Sequence, residues 1–149
     1  MLAFSRVVLL AALLLGGDPA RAWSQPAPAV FEIVGDYRLV GEATVILQVS
    51  ADDGTVKARL DGGGPPSSGA AAPADCIVVA AGPLEDRLLS ATFQPIETDD
   101  FSYSAAQARA EKRRLTIAFG AGTAEVKQAD TYGYCGLGIE FRGLYRKTG

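Results

Sequence analysis

The chain has 149 residues, no histidine, two cysteines, and 14 lysines and arginines against 17 aspartates and glutamates, for a net charge of −3. Without histidine, the Ser-His and Cys-His nucleophile pairs and histidine-ligated metal sites are closed, and two thiols fall short of a tetrahedral zinc set. A mildly acidic balance provides no concentrated basic patch for the phosphates of a nucleic acid.

Arg6 precedes an unbroken apolar run from Val7 to Leu15, and Ala20-Arg21-Ala22 offers a small-x-small cleavage site. A charged stretch, a short apolar core and an A-x-A boundary make up a secretory signal peptide. The apolar core is roughly 9 residues long, about half of what a membrane-spanning helix needs. Residues 1–22 are therefore expected to be removed, with the mature chain beginning at Trp23. Losing Arg6, Arg21 and Asp18 moves the net charge to about −4, which would attract a cationic partner over a distance that salt shortens. No cysteine stands at the cleavage site to take a lipid, no second apolar run is long enough to span a membrane, and asparagine is absent, so there is no N-glycosylation acceptor. The expected location is the periplasm or the exterior.

Residues 23–30 (WSQPAPAV) are rich in Pro and Ala and read as an extended lead-in to a single domain over 31–149. Phe31–Val34 and Asp36–Val40 alternate on either side of Gly35 and read as strand. Thr44–Ser50 puts Val45, Leu47 and Val49 on one face. After the turn Ala51-Asp52-Asp53-Gly54, Thr55–Leu60 answers with Val56, Ala58 and Leu60, which makes a hairpin. Residues 61–74 (DGGGPPSSGAAAPA) can bury almost nothing and read as an exposed, flexible loop. Its triple glycine lacks the Lys-Ser or Lys-Thr of a phosphate-binding loop. Asp75–Ala81 and Arg87–Gln94 form a second hairpin, and Pro95–Tyr103 reads as a loop. Ser104-Ala105-Ala106-Gln107 matches a capping box and opens a short helix through Lys112. Arg114–Phe119 and Thr123–Gln128 pair across Gly120-Ala121-Gly122. Gly138–Lys147 closes the chain, with Gly143 marking a bulge or a bend.

The pattern predicts an all-β domain: a small antiparallel up-and-down barrel of seven or eight strands, or alternatively a two-sheet sandwich, with at most one short helix. Helices are missing between strands, which excludes a parallel βαβ sheet. Cys76 and Cys135, an even pair in an exported chain, are expected to form a disulfide rather than remain two buried thiols. Such a bridge would contribute about 4 kcal/mol by closing a loop of about 60 residues.

Neither Ser-x-x-Lys nor Gly-x-Ser-x-Gly occurs, and no cofactor or metal motif is present. Asp99-Asp100 stand adjacent in a loop, not opposed across a cleft as a glycosidase pair would be. No enzyme activity is expected. Two segments read as recognition surface: Thr98–Tyr103 with Asp99, Asp100, Phe101 and Tyr103, and Thr131–Gly138 with Tyr132 and Tyr134. Loop tyrosines offer large contact area at low entropic cost, and Cys135 would make the second segment rigid. The alternative for Tyr132 and Tyr134 is that both simply pack over a barrel end.

Gly35-Asp36-Tyr37 and the late arginines Arg142 and Arg146 resemble the lipocalin-like barrels, which open with Gly-x-aromatic and pack a late arginine over that ring. The closing segment from Cys135 to Arg146, with Phe141, Gly143 and Tyr145, is similar to small bacterial periplasmic β-domains of the lysozyme-inhibitor-like kind. The second resemblance implies an exported binding protein, an inhibitor or immunity-type partner of a cell-wall hydrolase. The first implies a small-ligand carrier, and a structural envelope component is a third reading. Oligomeric state is not legible. Mass spectrometry of protein produced in an export-competent bacterium is expected to find a chain starting at Trp23 with neither cysteine alkylatable before reduction; an uncut chain with two free thiols would refute this.

Overall fold

Every long strand hydrogen-bonds to its neighbour in the chain, and the last returns to the first. The computed structural model describes residues 29–41, 44–63, 76–99, 101–136 and 139–149. A helical turn α1 (Ala29–Ile33) leads into β1 (Gly35–Leu39), β2 (Thr44–Asp52), β3 (Thr55–Gly63) and β4 (Cys76–Gly82). After a two-residue strand β5 (Leu84–Glu85) come β6 (Leu88–Phe93), a minimal hairpin β7 (Ile96–Glu97) and β8 (Ser102–Tyr103), and helix α2 (Ala105–Glu111). β9 (Arg114–Gly120), β10 (Thr123–Ala129) and β11 (Gly143–Lys147) complete the chain. The order β4-β3-β2-β1-β11-β10-β9-β6, closed by β4 against β6, is an antiparallel eight-stranded barrel. The barrel, not the sandwich, is the fold.

Alternation builds it. In β9 the inward residues Leu115, Ile117 and Phe119 are buried, and the outward neighbours are not. An eight-stranded barrel is just wide enough to be filled by side chains. Here Leu47, Leu60, Leu89, Phe93, Phe141 and Tyr145 fill it, each almost wholly buried.

The barrel has two unlike ends. One carries the tight turns after β2 and β9 and is covered by α1. The other carries the long connections after β3, β6 and β10, together with the Cys76–Cys135 disulfide, whose Cα atoms are 5.4 Å apart.

One device closes both ends. Ile33-Val34-Gly35-Asp36-Tyr37 and Phe141-Arg142-Gly143-Leu144-Tyr145 share an apolar-x-Gly-x-Tyr spacing. In each, the tyrosine hydroxyl donates to the carbonyl four residues upstream: Tyr37 to Ile33 and Tyr145 to Phe141, both at 2.7 Å. Each glycine has the same backbone, φ +140° at Gly35 and +141° at Gly143, a region L side chains rarely adopt. The glycine bends the chain so that the residue two before it turns into the barrel mouth under the tyrosine ring. Since β1 and β11 run antiparallel as neighbours, the two copies plug opposite ends.

Several sequence expectations change. Phe31–Val34 is not strand: its first three residues belong to α1, with Ile33 buried and Phe31 86% exposed. A helical turn is what lets Ile33 reach the barrel axis. The extended lead-in overlaps α1 at Ala29 and Val30, and its earlier residues lie outside the described ones, as does the signal peptide. The flexible loop loses Asp61–Gly63 to β3; its remainder from residue 64 to 74 is outside the described residues. The last strand is shorter than expected, starting at the Gly143 bend. The cation over the Tyr37 ring is Lys147, 5.9 Å from the centroid, not Arg142 or Arg146.

Gly143→Ala forces a side chain into a disfavoured backbone region, with its Cβ 2.9 Å from Leu39 Cδ1. A loss of about 2 kcal/mol is expected in denaturant unfolding, with a matching loss for Gly35→Ala. Wild-type stability in either variant would count against the plugging device.

Candidate functional site

At the loop-rich end, β4 runs past the end of β6. Val79 still finds a partner there, its carbonyl accepting from the Gln94 amide at 2.7 Å. Two residues earlier on the same strand edge, the Ile77 carbonyl has no strand opposite. The Tyr134 hydroxyl takes that place, donating at 2.9 Å. A buried carbonyl left unmatched would cost about 1–3 kcal/mol, so the side chain completes the seam of the barrel.

Tyr134 is also the hub of an aromatic cluster. Phe93, Phe101 and Tyr103 each meet its ring edge-to-face, with centroids 5.1, 5.0 and 5.0 Å away. Phe101 and Tyr103 arrive on the β7–β8 hairpin, whose turn is tied by the Thr98 amide to the Phe101 carbonyl (2.8 Å) and the Phe101 amide to the Thr98 hydroxyl (3.1 Å). The Arg113 guanidinium lies 5.6 Å from the Tyr134 ring centroid. It pairs with Glu111 and donates to the carbonyls of Asp130 and Tyr132, both at 2.7 Å. The turn itself is closed by the Tyr134 and Cys135 amides on the Thr131 carbonyl, at 2.9 and 3.0 Å.

The outcome separates two residues that the sequence treats alike. Tyr134 is 9% exposed and packs the barrel end, while Tyr132, two positions earlier, is 96% exposed. Tyr103 is buried and Phe101 half-buried, so both support the cluster from within. Asp99 is exposed at the tip of the β7–β8 hairpin, and Asp100 lies outside the described residues. The two segments singled out in the sequence thus meet around one ring. The residue that sequence reasoning missed is Arg113, which sits between the expected helix and strand. The Arg113-Arg114 pair at that junction was the available signal.

Comparison with known protein families, with curated proteins and with solved structures finds no match. The reading of this end therefore rests on its own chemistry. Beside Tyr132 an open cleft of about 780 Å3 runs along Lys127–Asp130 and across to Glu140 and Arg142. The Asp130 carboxylate is oriented by the Arg114 amide and the Gln128 side chain, both at 2.9 Å. Arg142 holds Glu140 in a two-pronged pair and so keeps its carboxyl at about 2, ionised at any physiological pH. Among the described residues, no three acidic or cysteine side chains converge as metal ligands would, and no helix is long and apolar enough to cross a membrane.

Burial pushes the Tyr134 hydroxyl up to about 12 and raises Tyr37, Tyr103 and Tyr145 as well. The fold therefore favours the neutral phenols. Their contribution is intact below pH 10, where unfolded tyrosine begins to ionise, and is lost as pH rises through the folded values. Alkaline titration is expected to show stability falling from about pH 10 towards pH 12, less steeply in Tyr134→Phe. At neutral pH Tyr134→Phe leaves the Ile77 carbonyl bare and should cost about 1–3 kcal/mol. The Tyr103 hydroxyl is buried with no hydrogen-bond partner among the described residues, so Tyr103→Phe should fall within about 0.5 kcal/mol of wild type or be stabilising. Equal effects from the two substitutions would contradict this assignment.

Proposed function

We propose that the protein is an exported, non-catalytic binding protein that docks a protein partner with its disulfide-pinned barrel end, and that the partner is a cationic hydrolase of the cell wall. One observation carries the reading. Tyr132 stands 96% exposed on a turn that cannot move freely: Tyr134 is sunk in the cluster, Cys135 is bonded to β4, and Arg113 grips the Asp130 and Tyr132 carbonyls. An aromatic ring on a preorganised turn loses little entropy on binding, and such tyrosines dominate interface energetics.

The surroundings support the same reading. Glu97 and Asp99 are exposed at this end and in no ion pair among the described residues, so they can face a positively charged protein. Side chains occupy the barrel interior, which favours an external contact over a ligand carried in the lumen. The leader-like N-terminal segment, the cysteine pair and the resemblance of the closing segment to lysozyme-inhibitor-like domains supply the compartment and the partner class.

Purified mature protein is expected to bind and inhibit a lysozyme in surface plasmon resonance and cell-wall turbidity assays, with affinity falling as salt rises. Tyr132→Ala should weaken binding by about tenfold or more with the circular dichroism spectrum unchanged. Failure to bind or inhibit any of a panel of lysozymes at micromolar concentration, or full affinity in the Tyr132→Ala variant, overturns the proposal.

A further inference from the structure

Helix α2 buries none of its residues, and only Ala108 is half-buried, packed against the core cluster. Ala105, Ala108 and Arg109 share one helical face, at spacings of three and four, and the C-cap residue Lys112 follows beyond the last turn on the rim of the same groove. A helix packed on a protein body ordinarily turns a stripe of large apolar side chains inward. Two alanines leave that volume empty. The result is an open groove of about 450 Å3 between α2 and the end of β6, lined by Thr92, Gln94, Pro95 and the two alanines, with Phe93 closed into the core beneath them.

The helix does not need the groove filled in order to form. The Ser104 hydroxyl accepts from the Gln107 amide and the Gln107 side chain accepts from the Ser104 amide, completing the capping box. Lys112 ends the helix in a left-handed cap, its amide donating to the Ala108 carbonyl at 3.1 Å. α2 is therefore held by its termini and its covalent neighbours, leaving its inner face open.

Charge identifies what fits. Arg109 and Lys112 rim the groove, and neither belongs to an ion pair among the described residues. An apolar floor with two cations at one edge matches a ligand with a hydrocarbon body and a single anionic head. We infer that the groove between α2 and β6 is a binding site for a medium-chain alkyl carboxylate, with the chain over Pro95, Ala105 and Ala108 and the carboxylate between Arg109 and Lys112. This site is separate from the Tyr132 turn and stands or falls independently of the hydrolase reading.

The test is a titration of the isotopically labelled mature protein with sodium decanoate below its micelle concentration, followed by amide chemical shifts. Saturable shifts confined to residues 92–95 and 105–112 are expected. Decanol should bind about tenfold more weakly, and decyltrimethylammonium should not produce these shifts. Ala108→Leu fills the groove and should abolish binding with the thermal midpoint unchanged or raised. The Arg109→Glu/Lys112→Glu double variant, altered only on the exposed rim, should weaken decanoate by about tenfold or more and so decides the matter if Ala108→Leu perturbs folding. The inference is overturned if decanoate gives no saturable shifts, if the shifts lie elsewhere, if decyltrimethylammonium competes equally, or if the double variant binds decanoate as wild type does.

Discussion

A barrel has to satisfy every backbone group along its seam, and here one strand outruns its partner. β6 ends while β4 continues for several residues, so the Ile77 carbonyl faces a gap that a single phenol fills. The disulfide joins the very next positions, Cys76 to Cys135. Hydrogen bond and covalent bond thus form a two-point clasp between residues 76–77 and 134–135. The clasp places Tyr134 where Phe93, Phe101 and Tyr103 can pack on it, and that packing in turn brings the β7–β8 hairpin to the same end. Among the described residues of the loop-rich end, the central ring is tied down twice.

The same economy operates at both mouths of the barrel. Tyr37 and Tyr145 each close a mouth by reaching back to a carbonyl across a glycine with φ near +140°. At the α1 end, Arg87 and Lys147 reinforce the plug. The first donates to the Phe119 and Gly120 carbonyls and pairs with Glu32, and the second donates to the Glu32 carbonyl. These cations work mainly through backbone carbonyls, where a charged donor gains more than it would in an exposed ion pair. The outer ion pairs, such as Lys127–Glu125 and Arg142–Glu140, are well exposed and add little to stability.

The two proposed surfaces, a rigid turn and an unfilled groove, differ in character. The Tyr132 turn is exposed, aromatic and fixed from three sides, and is the surface proposed above to meet a protein partner. The α2 groove is open, mostly apolar and cation-rimmed, and is the surface proposed to take a small amphiphile. Both depend on the long connections after β6 and β10, while the short turns at the opposite end leave no room for either. Connections carried by a closed scaffold can vary without endangering the barrel.

Local patterning was enough for much of the architecture. Local pattern marked all eight barrel strands, by period-two alternation in most and by an apolar run in β4, although the last was expected from Gly138 and begins only at Gly143. The Ser104 capping box marked α2 and the paired cysteines marked the disulfide, because each of these depends on neighbouring residues or simple parity. The α1 turn was not legible, since Phe31–Val34 alternates like a strand and only the need to plug the barrel mouth makes it coil. The Phe101 and Tyr103 pairing with Tyr134, the role of Arg113 and the opposite fates of Tyr132 and Tyr134 were not legible either. Alternation assigns faces only where a strand runs straight. Which way a side chain points in a turn is decided by the carbonyl left open on β4, 57 residues away along the chain, and by that gap existing at all.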